Sequence, residues 1–585
     1  MTNRATTRSA RGFLLVITTA ALTAQAFSTS DISQSGSRGV NNKNLHHSGI
    51  QTTTQCQPWR PWSQNQRIAR GYSSSSPLHQ TRRPGNPITG LFSDMASSIS
   101  SSLSSTPGKP KFNVDALDQK LNAAVDQASW EDIRTKLGGQ QTEEEKAFRS
   151  NVEKGIGKAS PLNKVRLFDE SNSESDIRVT FYRDHASWCP YCQKVWLTLE
   201  EKKIPYRIEK VNMRCYGEKT REFKNLQPSG AIPVAIIDGE TYNQSNDIIF
   251  ALEKKFPNKK LLPEDQMGQQ DAQQLLRLER SLFSAWMYWL TGSNSAGTKK
   301  TFVDTLTQVE KALESSSGGD FFLGKDVSLV DFMFAPFLER MAASMAYFKG
   351  FPIRVVKGEK TDFPAVNRWF DAMETLESYH LTKGDFYSHC WDLPPQLGGC
   401  TYDISKGEPY TKAINGERTL DGSRGSWDLP LEPHNQGVEP DWDFLGQDEA
   451  AAKREAVERL SFNHKAIVRF AARGAGKKGM PPYSAPLSDP NAVPGESVIG
   501  SVDTILKLVS SAMLDGVDNQ KTTAEMKETA KIIMADGGDE HRDNVIASLA
   551  YLRDRIGVPR DMRLPAARQL RAHLNWSIGI ILEAK

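Results

Sequence analysis

Between Asp176 and Phe256 strand-like and helix-like patterns follow one another in the order β-α-β-α-β-β-α, which few folds satisfy. "DIRVTFYRD" alternates Ile177, Val179 and Phe181 with Arg178 and Thr180, the period of a half-buried strand. Cys189 falls in the turn after it, and Pro190 suits the first turn of the next helix. That helix carries Val195, Trp196 and Leu199 at helical spacing and ends before Pro205. A second strand begins near Tyr206, and a third, apolar one covers Val234 to Ile237. The pair Asp238-Gly239 predicts a two-residue hairpin into a further strand that runs to Gln244. Ser245 is predicted to cap the last helix, with Ile248, Ile249 and Leu252 facing inward.

This order is that of thioredoxin-like folds, and Cys189-Pro190-Tyr191-Cys192 stands at its first strand-to-helix turn. A zinc clip needs two more ligands. Cys215, His389, Cys390 and Cys400 are the candidates, and none forms a second C-x₂-C or C-x₂-H, so no metal is expected. Thiol chemistry has a physical basis instead. A cysteine just before a helix meets unpaired backbone N–H groups and the positive end of the helix dipole, which stabilise a thiolate. Cys189 is therefore the expected nucleophile, and Cys192, one turn on, its possible resolving partner.

The remainder of the chain frames this segment. At 585 residues it needs two or three domains. A net charge of +3 argues against a general nucleic-acid binder, and no apolar run reaches the ~20 residues of a membrane span. Residues 1–26 have the layout of a signal peptide: Arg4, Arg8 and Arg11, an apolar run, then Ala24-Gln25-Ala26. Residues 27–110 are rich in Ser, Thr, Gln and Arg with Asp31 and Asp94 as their acids, a transit-like composition that cannot build a core. Together they resemble the bipartite presequence of algae with secondary plastids, which implies a plastid stromal protein. Six scattered cysteines are not a secreted disulfide framework. The expected divisions after the presequence are a helical extension (111–172), the thioredoxin-like domain (173–260), an all-helical domain (261–388), a linker (389–445) and a helical C-terminal region of unknown role (446–585).

Residues from Asp176 to about Tyr379 resemble glutathione transferases of the branch with a catalytic cysteine: the omega, lambda, dehydroascorbate-reductase and iota groups. The CPYC tetrad itself is similar to that of dithiol glutaredoxins. Ile232-Pro233 matches the family's cis-proline turn, where the residue before proline binds the cysteine backbone of glutathione. Gln244-Ser245 matches the pair that holds the γ-glutamyl carboxylate, and Lys219, counted back from Pro233, matches a lysine at the glycyl end. "SLVDFMFAPFL" resembles the family's capping-box helix, with Ser328 and Asp331 in a folding role. The resemblance implies an α/β thioredoxin-like domain followed by an all-α domain, and glutathione as co-substrate without a metal. It also implies thiol–disulfide exchange with a small thiol, disulfide or electrophile as partner; a homodimer is left open as the assembly.

Two rival functions stand beside this one: a conjugating transferase, which a serine or tyrosine at position 189 would have favoured, and a non-catalytic carrier of hydrophobic ligands such as porphyrins. The loop-rich stretch from His389 to Asp443 suggests that the two-domain core is complete by Tyr379 and survives truncation after about Asp443. "GAGKKG" at Gly474 lacks phosphate-loop spacing and reads as a flexible basic turn. Cys215 reads as a small buried hydrophobe. Phe283, Trp286, Tyr288 and Trp289 read as helical core, some of it able to wall a co-substrate pocket over Cys189. Arg553, Arg555, Arg560, Arg563, Arg568 and Arg571 read as a solvated or salt-bridged face.

Overall fold

Five strands form one mixed sheet: β1 Val165–Arg166, β2 Val179–Asp184, β3 Tyr206–Val211, β4 Val234–Ile237 and β5 Glu240–Tyr242, in the order β1-β3-β2-β4-β5. The structure is a computed structural model that describes residues 112–124, 129–316, 318–356, 358–431, 438–439, 448–479 and 485–584. The signal segment 1–26 and the transit-like segment 27–110 lie outside the described residues. β2 and β3 are parallel, with Val179 opposite Tyr206. A parallel pair needs a crossover, and the helix Pro190–Glu201 supplies it. β4 joins β2, and β5 joins β4, antiparallel. Asp238 (φ 52°) and Gly239 (φ 83°) are both left-handed, as the predicted hairpin turn requires. β1 falls inside the stretch 111–172 that was expected to be a helical extension. It is an edge strand, tied to the core by the buried Arg166 guanidinium, which pairs with Glu200 at 3.0 Å.

The helices Gln266–Thr291, Ala296–Glu314, Leu329–Lys349 and Pro364–Glu374 make the second domain. Leu329–Lys349 is buried almost all round, which its run of Phe, Met, Ala and Leu permits. Asp331, fully buried at its start, accepts from Ser328 N–H (2.8 Å), Ser328 Oγ (2.7 Å), Phe322 N–H (3.0 Å) and Trp369 Nε1 (2.9 Å). Trp286 and Trp289 are core, whereas Tyr288 is 70% exposed.

The stretch expected as a linker is different. It holds most of the helix Phe386–Leu397 and all of Ile404–Ile414, and Cys390 and Leu393 are buried in the same apolar cluster as the sheet. Pro394, Pro395 and Pro409 lie within these helices, and Gly398 (φ 81°) ends the first in a left-handed cap. Nor do residues 446–585 form an isolated appendage. The helices Glu449–Phe462, His464–Ala471, Ile499–Asp515, Gln520–Arg553 and Leu564–Glu583 share one core with Val114–Ala124 and Trp130–Gln140 from the other end of the chain. Leu117, Leu121 and Ile133 pack there with Ile505, Met526 and Ile533, and Trp130 Nε1 donates to Asp503 at 2.8 Å. Residues Glu496–Asp515 are, by length and composition, apolar enough to cross a membrane. Val502, Ile505, Leu506 and Val509 of this helix are instead core residues of the C-terminal layer.

One local expectation changes as well. Gly474 lies so close to the Ala547 carbonyl that a Cβ would sit 2.3 Å from its oxygen, so "GAGKKG" opens on a packed turn, not a flexible one. Of the solvated and the salt-bridged reading, Arg553 and Arg571 follow the second: they are 6% and 1% exposed and pair with Asp554 and Asp385.

Candidate active site

The turn between β2 and the helix Pro190–Glu201 carries Cys189 at the helix N-cap and Cys192 in its first turn. Both are buried, 6% and 1% exposed, and unpaired in a disulfide. Their sulfurs and a carboxylate oxygen of Asp184 lie within 4.8 Å of one another. Asp184, at the end of β2, thus adds a third donor that a count of cysteines and histidines omits. Asp184 also shapes the turn, accepting the Trp188 N–H at 2.6 Å. Burial and the adjacent Cys189 sulfur push the Cys192 thiol well above the ordinary range. Cys192 is therefore held protonated at neutral pH.

The turn is gripped from the helical domain too. Arg340, 1% exposed on Leu329–Lys349, donates to the Trp188 carbonyl at 2.5 Å and to Gln193 Oε1 at 2.9 Å. Gln193 Nε2 in turn donates to Glu339 at 3.0 Å, and Glu339 bonds His389 Nε2 at 2.5 Å and accepts Gly384 N–H at 2.8 Å. Those hydrogen bonds and the Arg340 charge hold the Glu339 carboxyl below its usual range despite its burial. The network crosses from one domain into the other, so it fixes their approach where Cys189 lies.

Ile232-Pro233 is a cis peptide directly before β4. Gln244 is the N-cap of the helix Ser245–Lys255, and Ser245 is its first residue; the predicted cap is thus shifted by one position. Its first-turn amides lie where an anion would meet the helix N-terminus. Lys219 Nζ donates to Asn212 O at 2.7 Å, with its charge close enough to Cys189, Cys215 and Cys192 to interact with them. Burial lowers the Lys219 pKa. Cys215 is the small buried residue expected of it, its thiol pushed up to about 12 by burial.

Several residues around Cys189 went unnoticed in the sequence. Lys194 is 1% exposed, and its ammonium donates to Asn246 Oδ1 at 3.0 Å; burial, with Arg280 next, pulls it down to about 7. It lies 5.4 Å from the centre of the Tyr191 ring, and Tyr191 packs edge-on against Phe337, which meets Phe283 in the same way. Arg280, paired with Glu279, stands over Phe283 and Phe337 at 5.0 and 5.2 Å. Of the aromatic group on Gln266–Thr291, Phe283 is thus the member that meets the Phe337–Tyr191 pair. The available signal was the i, i+3 placement of Tyr191 and Lys194 on the helix that starts at Cys189.

The glutathione S-transferase N-terminal domain model matches residues 188–255 and the C-terminal domain model residues 294–372. Among relatives, glutathione S-transferase DHAR2 of Arabidopsis thaliana is 28% identical over 196 residues, 33% of this chain and 84% of its own. The chloroplastic DHAR3 of the same plant is 27% identical, covering 34% of this chain and 69% of its own length. Glutathione S-transferase L1, also from Arabidopsis thaliana, is 26% identical, covering 34% and 79%. Among solved structures, omega 3C transferase from Trametes versicolor has a TM-score of 0.31 at 24% identity, covering 36% of this chain and 85% of that one. The sheet order, the cis peptide before β4, the paired helical domain and the two matched domain models agree. Residues 188–255 and 294–372 of the chain thus match the paired N- and C-terminal domains of glutathione S-transferases.

Proposed function

We propose that the chain is a glutathione-dependent thiol–disulfide oxidoreductase with Cys189 as its nucleophile. The observation that carries this reading is a cysteine at the N-cap of Pro190–Glu201 with a second sulfur within 4.8 Å. The Cys189 thiolate attacks the glutathionyl sulfur of a mixed disulfide. The old S–S bond breaks, the acceptor leaves as a thiolate that takes a proton from water, and Cys189 carries the glutathionyl group. A glutathione thiolate then attacks the glutathionyl sulfur, releasing glutathione disulfide and restoring the Cys189 thiolate. With the Cys192 thiol pushed well up by burial, this second glutathione is the favoured resolving group. Glutathione is held in this reading by the Ile232 backbone before Pro233, by Gln244 and Ser245 at a helix N-terminus, and by Lys219. The resemblance to the dehydroascorbate-reductase group of transferases supports dehydroascorbate as an acceptor; it gains two electrons and two protons while two glutathiones become one disulfide.

The presequence composition, beside a relative named chloroplastic, supports the plastid stroma as the destination. Fusing residues 1–110 to a fluorescent protein tests it: plastid fluorescence is expected, and cytosolic or secreted fluorescence removes the claim. The mechanism is tested with Cys189→Ser and Cys192→Ser against a glutathionylated peptide, dehydroascorbate and an aryl halide. Cys189→Ser loses reduction of the first two because a serine hydroxyl cannot take up the glutathionyl group. Cys192→Ser retains reduction of the peptide. Wild-type turnover by Cys189→Ser would overturn the mechanism. Activity with the aryl halide alone points to conjugation, and activity with none to a carrier.

A further inference from the structure

The residue before Cys189 is held by a part of the chain 370 positions further on. Trp188 is fully buried, and its indole Nε1–H donates to the Val558 carbonyl at 2.8 Å. The Arg560 guanidinium lies 4.9 Å from the ring centre. Gly557 packs on the ring so closely that a Cβ there would stand 2.4 Å from Cζ2 and 2.9 Å from Cη2. Real side chains do not tolerate that distance, and the obstacle is a rigid ring with no room to swing aside.

The segment is itself firmly fixed. Arg571 donates to Ile556 O at 2.7 Å, Gly557 N–H to Asp561 at 2.8 Å, Val558 N–H to Ser388 Oγ at 3.0 Å, and Tyr387 Oη–H to Asp554 O at 2.9 Å. Trp188 is thus held at three points. Its N–H goes to Asp184 and its carbonyl accepts from Arg340, both inside the transferase domains. Its side chain is held from the C-terminal layer.

We propose that residues 556–560 are a working part of the active site: by clamping the Trp188 indole they set the position of the Trp188–Cys189 peptide, and with it the reactivity of Cys189. This rests on the reading of Cys189 as the nucleophile. Trp188, Gly557 and Arg560 are positioning residues; the peptide they hold bears the reacting sulfur. It gives the C-terminal region a role in the chemistry that a two-domain transferase does not require of an appended layer. The region is a third wall of the Cys189 turn.

The test is a double-mutant cycle in the full chain: Gly557→Ala, Trp188→Phe and both together. The readouts are the second-order rate of Cys189 alkylation by iodoacetamide, located by mass spectrometry, and the kcat and KM for a glutathionylated peptide. An ångström of misplacement far from the chemistry costs on the order of 10²-fold, so Gly557→Ala should slow alkylation and kcat by roughly tenfold or more, with KM for the glutathionylated peptide changed less than about twofold. Phenylalanine lacks the benzo-ring atoms that a Cβ at 557 would strike. In the Trp188→Phe background the same change should therefore cost less than about threefold, a non-additivity that contact between the two residues produces. Additive effects, or folded single variants that both label within about twofold of wild type, would overturn the proposal. If Gly557→Ala does not fold, recovery of a folded protein in the double variant supports the clamp, and failure of both overturns it. The proposal and the mechanism it rests on fail separately: an inactive Cys189→Ser beside unchanged labelling in Gly557→Ala keeps the nucleophile and removes the clamp.

Discussion

Arg571 gives the sharpest test of whether the C-terminal layer and the transferase domains are one folding unit. Its guanidinium donates to Asp385 at 2.9 Å, and the two side chains are 2% and 0% exposed. Asp385 caps the helix Phe386–Leu397 by accepting Ser388 N–H at 2.9 Å, and Arg571 also stands over Tyr387 and Trp427 at 4.7 and 4.9 Å. Arg571→Met keeps much of the stem's volume and removes the charge. It leaves a buried carboxylate without its cation and the Ile556 carbonyl without its donor. Losing one partner of a buried pair costs about 3–5 kcal/mol, and the methionine restores packing without offsetting that charge. The measurement is urea unfolding followed by tryptophan fluorescence and by circular dichroism. The midpoint should fall by an amount equivalent to about 3–5 kcal/mol, with the slope unchanged and the two probes coincident. Adding Asp385→Asn, which keeps an acceptor for Ser388 N–H, should return about 2 kcal/mol or more of that loss. A cost under about 1 kcal/mol in Arg571→Met, or additivity in the double variant, would refute the reasoning.

Other consequences are equally direct. Burial raises the Asp392 carboxyl to about 7, so the folded state binds a proton that the unfolded chain, near 3.8, releases; stability falls as pH rises between those values. Asp392→Asn, placed to accept from the Tyr216 hydroxyl at 2.6 Å, should therefore raise the melting temperature more at pH 8 than at pH 5; an equal gain at both sinks the argument. His541 and His573 are both pulled down to about 4 by burial, so the stability tied to their neutral forms is present above pH 6.5 and lost as pH falls towards 4. His541→Gln, which can keep the bond to Ser501, should flatten the acid limb of a stability–pH profile, and an unaltered limb would count against it. Truncation after Asp443 strips Val558 from Trp188 and Arg571 from Asp385, so the structure reverses the outcome that the loop-rich break suggested. An insoluble or aggregated fragment is expected on size-exclusion chromatography, and a monodisperse glutathione-binding fragment would contradict it.

The thioredoxin-like part was legible because its constraints are local. Ile177 to Phe181 alternate, Pro190 stands one residue after the turn, and Asp238-Gly239 supplies two left-handed residues between short apolar runs. Each is fixed by neighbours within a few positions. β1 escaped notice because a two-residue edge strand has no period to detect; the Arg166–Glu200 pair, 34 positions apart, keeps it in place. The cysteines and the cis-proline turn were visible as motifs. Asp184 and Lys194 stand five positions either side of Cys189 but belong to no motif, and the relation of Arg280 and Arg340 to it exists only once the second domain has met the crossover helix.

The C-terminal region was opaque for a related reason, and its arginines show why. Charged residues at helical spacing usually line a solvated face. Here Arg571 reaches back 186 positions to Asp385, and the carbonyl of Val558 reaches back 370 to the Trp188 indole. A sequence pattern records the charge or the glycine but not the partner that makes burial tolerable. Gly557 is the clearest case. In the sequence it is one glycine between Ile556 and Val558 with nothing to set it apart; in the fold it is the only kind of residue that lets the indole beside Cys189 lie where it does. The same loop-rich composition that suggested a linker at 389–445 supplies the bends by which the helices Phe386–Leu397 and Ile404–Ile414 turn back into the core. Proline and glycine mark where the chain changes direction, and packing decides whether the segment between two such changes is a tether or a wall.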